Sequence, residues 1–268
     1  CSALRAPVLP SGPRHPQPAR WPPFSPTAPM PYAILRTAKL KTAGNLTSLN
    51  EHLQRLRPTP NADAELTPLN VQLVGSQDLA ADVQARLEAA GCKVRSNAVL
   101  AVEHLMTFSP EFLDIRKETG KSGKPARLVG SAEDGAKLAG FRDRAMEWLS
   151  ERYGQENVVN AVLHLDEQTP HIHATVVPID TAGRLNCRAM LGDRQKMRDM
   201  QTSFAAKVAP LGLQRGVEGS QAQHQEVKRF YGLVKELNPQ LEQETQRQVA
   251  QQRIHQAGQQ HSRGGVSM

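Results

Sequence analysis

Residues 164–173 read HLDEQTPHIH and bring three of the chain's nine histidines together with two carboxylates and a proline. Side chains alternate across a strand, so His171 and His173 point to one face and Ile172 to the other. His164 precedes the DEQTP turn. It joins that face if it stands opposite His171 or His173 in an antiparallel pair, and leaves it if it stands opposite Ile172. A functional cluster therefore requires a specific register, with His164 facing His173 or a bulge of equal effect. Three neutral imidazoles leave open positions on a divalent ion, as a catalytic metal needs. Imidazoles alone do not choose among Mn, Zn, Co and Ni, and Mg prefers oxygen ligands. Asp166 and Glu167, on the turn, are placed to orient a ligand or move a proton. A polar hairpin with partly exposed histidines is the plainer alternative, and convergence of three imidazoles on a carboxylate pair argues against it.

The elements that must position this cluster follow from periodicity. Val158–Leu165 and His171–Ile179 flank the turn and predict an antiparallel hairpin. Tyr32–Leu35, Val71–Val74 and the apolar stretch Asn97–Phe108 read as further strands. Asp78–Ala90 is an amphipathic helix closed by Gly91, and Ser109-Pro110-Glu111 starts a short one. Ser131–Tyr153 has the clearest helical pattern: Ser131 and Asp134 form a capping-box-like start, Leu138, Phe141, Ala145, Trp148 and Leu149 keep helical spacing, and Gly154 ends it. Asp193–Val208 is a further helix, with Met197, Met200, Phe204 and Val208 on one face and Pro210 as its stop. Helix, strand, turn and strand in succession indicate an α+β layer. Residues 120–130, GKSGKPARLVG, form a basic glycine-rich loop that does not match G-x-x-x-x-G-K-[ST], so no nucleotide-binding loop is expected.

Composition sets the surroundings. Residues 1–29 hold nine of the nineteen prolines, a density that predicts a disordered or polyproline-like extension, and Met30 reads as the start of the ordered chain. A relaxed division is 1–29 extension, 30–237 folded domain and 238–268 Gln-rich tail. The net charge is +7, and the surplus lies in the flanks, because residues 187–268 carry twelve Lys and Arg against seven acids. Such flanks suit nucleic acid, although solvated helix faces look alike. Cys1, Cys92 and Cys187 are odd in number and far apart, which fits reduced thiols in the cytoplasm. No apolar run approaches a membrane span.

The segment HLDEQTPHIHATVVPI resembles the H-x-D-E-x-x-P-H-x-H motif of the Mob/Pre plasmid mobilisation relaxases, the MobV group of HUH endonucleases. YAILRTAKLKTAGNL, EHLQRLRPTPNAD, VLAVEHLMTFSPEF and LGLQRGVEGS followed by HQEVKRFY are similar too, so the likeness runs from about residue 31 to about 231. It implies a five-stranded antiparallel sheet flanked by helices and a site for one divalent metal, Mn or Mg, ligated by His164, His171 and His173. It also implies site-specific nicking and strand transfer at a plasmid transfer origin, with Glu167 beside the nucleophile. The implied partner is single-stranded or hairpin DNA at that origin, with accessory relaxosome proteins and a conjugative coupling protein as further candidates, in a bacterial cytoplasm.

Strand transfer needs a side chain that keeps the 5′ phosphate. His52-Leu53-Gln54-Arg55 fits the H-x-x-R context in which some members of the group attack, which makes His52 the candidate nucleophile and Tyr32 its rival. Arg55 and Arg57 then read as phosphate-binding groups. Tyr153 and Tyr231 read as packing, His104 as a core or supporting residue, and His224, near Lys228 and Arg229, as a helix-face histidine that could touch DNA. With 4% aromatic residues, Arg and Lys contacts should dominate and DNA binding should be strongly salt-dependent. A rolling-circle replication initiator and a non-catalytic DNA-binding remnant stay open as alternatives.

Overall fold

A computed structural model of the chain describes residues 30–118 and 127–218. The Pro-rich extension, Tyr231, His224, the Gln-rich tail and most of the 120–130 loop lie outside these residues. All the elements below belong to the compact unit that ends at Gly216.

The chain runs β1 (Tyr32–Leu40), α1 (Ala43–Leu53), β2 (Val71–Val74), α2 (Leu79–Ala89), β3 (Ala101–Phe108), β4 (Arg116–Glu118), β5 (Arg127–Val129), α3 (Ala132–Tyr153), β6 (Val158–His164), β7 (His171–Val176), α4 (Cys187–Leu191), α5 (Arg194–Val208) and β8 (Gln214–Arg215). Six strands form one sheet in the order β2-β6-β7-β3-β1-β8, and β4 pairs with β5 in a small ribbon. Five of the six are antiparallel neighbours, and the two-residue β8 runs parallel to β1 at the edge. This is the α+β architecture that the sequence implies, with a short sixth strand added.

Helix starts follow local chemistry. The Ser131 side chain accepts from the Asp134 N–H while the Asp134 carboxylate accepts from the Ser131 backbone, and Gly154 at φ 84 closes α3. Thr42 and Asn45 make the same reciprocal cap on α1. Ser109-Pro110-Glu111 yields only one 3-10 turn, Pro110–Phe112, before the backbone returns to extended geometry at Leu113.

The sheet has two unlike faces. On one, Phe141, Ala145, Trp148 and Leu149 of α3 and Met200, Phe204 and Val208 of α5 pack on Val102, Met106, Ile172, Ala174 and Val176. Phe108, Phe112 and Phe141 stack edge-on or tilted at 4.7 and 4.8 Å, and Trp148 meets Phe204 at 5.3 Å. Each such buried ring is worth roughly 1.5–3 kcal/mol over its exposed form. On the other face, Leu46, Leu49 and Leu53 of α1 and Leu79, Val83 and Leu87 of α2 cover Ala101, Val162 and Val177. That second cover reaches the middle of the sheet and stops, leaving Arg36 and Ala38 of β1 exposed. β7 is buried on both sides, and its HIHATV sequence sends Ile172, Ala174 and Val176 to the first face and His171, His173 and Thr175 to the second.

Candidate metal centre and nucleophile

The hairpin register decides whether the histidines meet. β6 and β7 pair with Val162 opposite His173, Leu163 opposite Ile172 and His164 opposite His171. His164 thus shares the face of the other two by standing across from His171, not His173 as the sequence reading preferred, and no bulge is needed at that end. The three rings sit edge to face, with centroids 5.2 Å apart for 164 and 171, 5.1 Å for 164 and 173, and 4.9 Å for 171 and 173.

Each ring spends one nitrogen on an acceptor. His164 Nε2 donates to the Leu53 carbonyl at 3.0 Å, a group left free by the end of α1. His171 Nδ1 donates to the Thr169 carbonyl at 2.9 Å, and His173 Nδ1 donates to Glu103 Oε1 at 2.7 Å. Because a carbonyl or carboxylate can only accept, these nitrogens carry the protons. The opposite nitrogens of neutral rings are then bare. His164 Nδ1 and His171 Nε2 face each other at 3.3 Å, and His173 Nε2 is buried with no partner. Two lone pairs at that distance repel unless a cation lies between them, so the donor set fits a metal ion. Burial, with the neighbouring imidazoles and Arg55, lowers the His164 pKa to about 2 and that of His173 well below its ordinary value, which keeps both rings neutral.

α1 carries His52 to this cluster on its last turn. The His52 ring meets His173 at 5.0 Å and His164 at 5.5 Å, with 21% of its side chain exposed. Burial, His173 and Arg55 lower its pKa to about 4, so its lone pair is available near neutral pH. Nitrogens of His52, His164 and His173 lie mutually within 4.8 Å, and so do ligand atoms of His164, Glu167 and His171. Glu167 Oε1 stands among them, 3.9 Å from His52 Nε2, 3.6 Å from His171 Nε2 and 3.9 Å from His164 Nδ1.

Arg55, expected to bind phosphate, is instead turned inward. Its backbone takes φ 55, a left-handed conformation costly for a residue with a Cβ, immediately after the α1 cap. From there Nε and one terminal nitrogen donate to Asp166 at 2.9 and 2.7 Å, and that same terminal nitrogen also donates to Glu167 at 2.7 Å. With 8% of its side chain exposed, the guanidinium ties the end of α1 to the turn, and its other terminal nitrogen donates to the His52 carbonyl at 3.0 Å and lies 3.4 Å from His52 Nδ1. Arg57 stays exposed and donates to Ser48 at 3.1 Å. Asp166 is fully buried, and burial opposes its charge, but bonds from Arg55, Asn70 and Thr67 overcome that and hold its pKa well below the usual carboxylate range. The TPNAD segment supports the same turn: Asn61 donates to Glu167, and the Asp63 N–H donates to the Asp166 carbonyl at 2.8 Å. Lys117 Nζ donates to that carbonyl at 2.9 Å.

The rivals lie elsewhere. Tyr32 is 40% exposed, two strands across from β7 and two residues beyond the level of His171, roughly 12 Å away by strand spacing and rise. Tyr153 packs in the α3 core, where its hydroxyl meets His104 Nε2 at 2.9 Å. His104 is fully buried there, on the face opposite the cluster. Glu103, Asn61, Asn70 and Thr67 were not legible as site residues; only TPNAD was singled out, through the family likeness.

The Mob/Pre family model, described as plasmid recombination enzyme, matches residues 30–123 and 131–232. The chain belongs to the Mob/Pre family. A 65 kDa protein of Zymomonas mobilis is 36% identical over 219 residues, covering 79% of this chain and 35% of its own length. The plasmid recombination enzyme type 3 of Staphylococcus aureus is 28% identical, covering 75% of this chain and 48% of its own length. The chain thus spans between a third and a half of these relatives. Among solved structures, the MobM relaxase domain (MOBV; Mob_Pre), Mn-bound and in complex with plasmid pMV158 oriT DNA, aligns with a TM-score of 0.60 at 27% identity, covering 75% of this chain and 98% of that one. A further Mn-bound complex of the same domain gives 0.59 at 26% identity. The Mob/Pre match takes in β1 through β8 apart from residues 124–130, which hold β5, and the histidine hairpin lies inside it. No helix among the described residues is long and apolar enough to cross a membrane.

Proposed function

We propose that this chain nicks one DNA strand at a plasmid transfer origin and holds the 5′ phosphate covalently on His52, so that a later 3′ hydroxyl can rejoin it and initiate mobilisation. The observation that carries the reading is the position of His52: a neutral imidazole on a helix end, 5.0 Å ring to ring from His173 and beside the Glu167 carboxylate. His164 Nδ1, His171 Nε2 and His173 Nε2 would hold one divalent ion, Mn or Mg, which when bound supplies Lewis-acid charge against the scissile phosphate, worth several kcal/mol as an order of magnitude.

His52 attacks phosphorus through its lone pair, a nitrogen–phosphorus bond forms, and the bond to the 3′ oxygen breaks. The leaving oxygen takes a proton from water and departs as a 3′ hydroxyl, while Glu167 orients the ring and accepts the proton it sheds. Arg55 holds Glu167 and the α1 end in one geometry, and Arg57, exposed near the nucleophile, binds a flanking phosphate. Phosphoryl transfer to the imidazole conserves the bond energy in the protein link, so no nucleotide hydrolysis is required. The partner is DNA of a plasmid transfer origin, which the MobM complexes with oriT DNA support, and the family resemblance makes it single-stranded with an adjoining hairpin.

The test is incubation of a single-stranded oligonucleotide carrying the cognate transfer origin with the protein and Mn, followed by a denaturing protein gel. A DNA-linked band that EDTA abolishes supports the reading. Cleavage without such a band identifies a water-using nuclease, and DNA binding without cleavage identifies a non-catalytic remnant.

A further inference from the structure

The three histidines are not supported alike. His164 and His171 give their protonated nitrogens to main-chain carbonyls, whereas His173 gives its own to a carboxylate. That carboxylate comes from another strand. In the β3–β7 ladder Leu105 stands opposite His173 and Glu103 opposite Thr175, so Glu103 is the diagonal neighbour of His173 on the same sheet face. Both side chains are largely buried, 17% exposed for Glu103 and 9% for His173, and among the described residues no lysine or arginine pairs with the acid. A carboxylate buried without a cation is costly. The remaining nitrogen of His173, Nε2, is also buried and has no partner. The pair therefore carries an uncompensated negative charge on one side and an unused lone pair on the other, and both are satisfied by a cation at the position where the three rings converge.

We infer that Glu103 is a positioning residue for the metal: it pins the His173 proton on Nδ1, aims the Nε2 lone pair at the ring cluster, and offsets part of the ion's charge. The inference rests on the reading of His164, His171 and His173 as ligands. A carbonyl in place of Glu103 would fix the tautomer without supplying charge, so charge and orientation can be separated by substitution. Glu103→Gln keeps the shape and an acceptor oxygen, and Glu103→Ala removes both.

The experiment measures Mn affinity of the full chain by titration calorimetry, with long-range ¹H–¹⁵N spectra of the metal-free protein to read the His173 tautomer. The wild type should bind one Mn with the proton on Nδ1. Glu103→Gln should bind about 10-fold more weakly with the tautomer kept, and Glu103→Ala up to about 100-fold more weakly with the tautomer mixed. The thermal midpoint of the metal-free Gln variant should match the wild type, which separates loss of metal from loss of fold. If Glu103→Ala does not fold, the Gln variant alone decides. Wild-type binding with an unchanged affinity in Glu103→Gln overturns the role of Glu103 and leaves the metal site standing. Failure of the wild type to bind Mn overturns both.

Discussion

His104 and His173 lie on adjacent strands, nearly level and on opposite faces of one sheet, and both are buried with one ring nitrogen lacking a partner. His104 is surrounded by Trp148 and Tyr153 and fills space in the α3 core. His173 is surrounded by His52, His164 and His171 and by Glu103. Burial and an unsatisfied nitrogen are therefore not enough to mark a functional histidine. What separates the two is convergence: one face brings further bare nitrogens and a carboxylate to the same point, and the other brings aromatic rings and a single Tyr153 hydroxyl. The helices follow that division, because α3 and α5 seal their face while α1 ends at the cluster and presents His52.

The comparison can be broken from either side. On the histidine-cluster face, His171→Ala removes a proposed ligand and should lower the proposed Mn-dependent cleavage by about 10³-fold or more, the equivalent of several kcal/mol of phosphate stabilisation. Mn binding by calorimetry should vanish with it, while the metal-free thermal midpoint changes little. Arg55→Ala is next, because it leaves Asp166 fully buried without the guanidinium that pairs with its carboxylate; chemical denaturation should show a loss of about 3–5 kcal/mol, with Arg55→Lys intermediate. On the core face, His104→Ala should cost about 2–4 kcal/mol of stability by the same measurement yet leave Mn affinity at the wild-type value.

A pH series sharpens the contrast further. Burial, with the Arg152 charge, lowers the His104 pKa from 6.5 to about 4. The unfolded chain takes up this proton first as pH falls, so the neutral ring's stability is complete above pH 6.5 and is lost between 6.5 and about 4. Denaturation of the wild type and His104→Gln across that window should show a shallower fall in the variant, by a few kcal/mol at most. Parallel curves would mean that His104 does not titrate with unfolding. The smallest effect belongs to Arg57→Ala, which should weaken single-stranded DNA binding modestly and lower the slope of log affinity against log salt by about 1, read by fluorescence anisotropy.

Much of this arrangement was legible because it is periodic. HIHATV alternates cleanly, so the faces of β7 follow from its sequence, and the Ser131–Asp134 cap with the apolar stripe after it marks α3 from its first residue. α1 was harder to see. AGNLTSLNEHL has a glycine, two asparagines and a threonine, and its helix depends on burial of Leu46, Leu49 and Leu53 against the sheet. The inward turn of Arg55 was not visible either, because its partner Asp166 is 111 residues away and local pattern cannot show which acid will share a buried space. Glu103 was hidden for the same reason: it reads as a lone acid in an apolar strand until the β3–β7 register sets it beside His173. The hairpin register itself, 164 to 171, depends on how the intervening six-residue turn folds around Asp166.

The central claim is that the metal-face cluster serves a histidine nucleophile on α1. Its most direct test is to isolate the protein–DNA adduct formed with Mn on transfer-origin DNA, map the modified peptide by mass spectrometry, and compare wild type with His52→Ala and Tyr32→Phe. The account predicts an acid-labile phosphoramidate on the peptide containing His52, absent in His52→Ala and retained in Tyr32→Phe. An acid-stable adduct on Tyr32 that survives His52→Ala would contradict it.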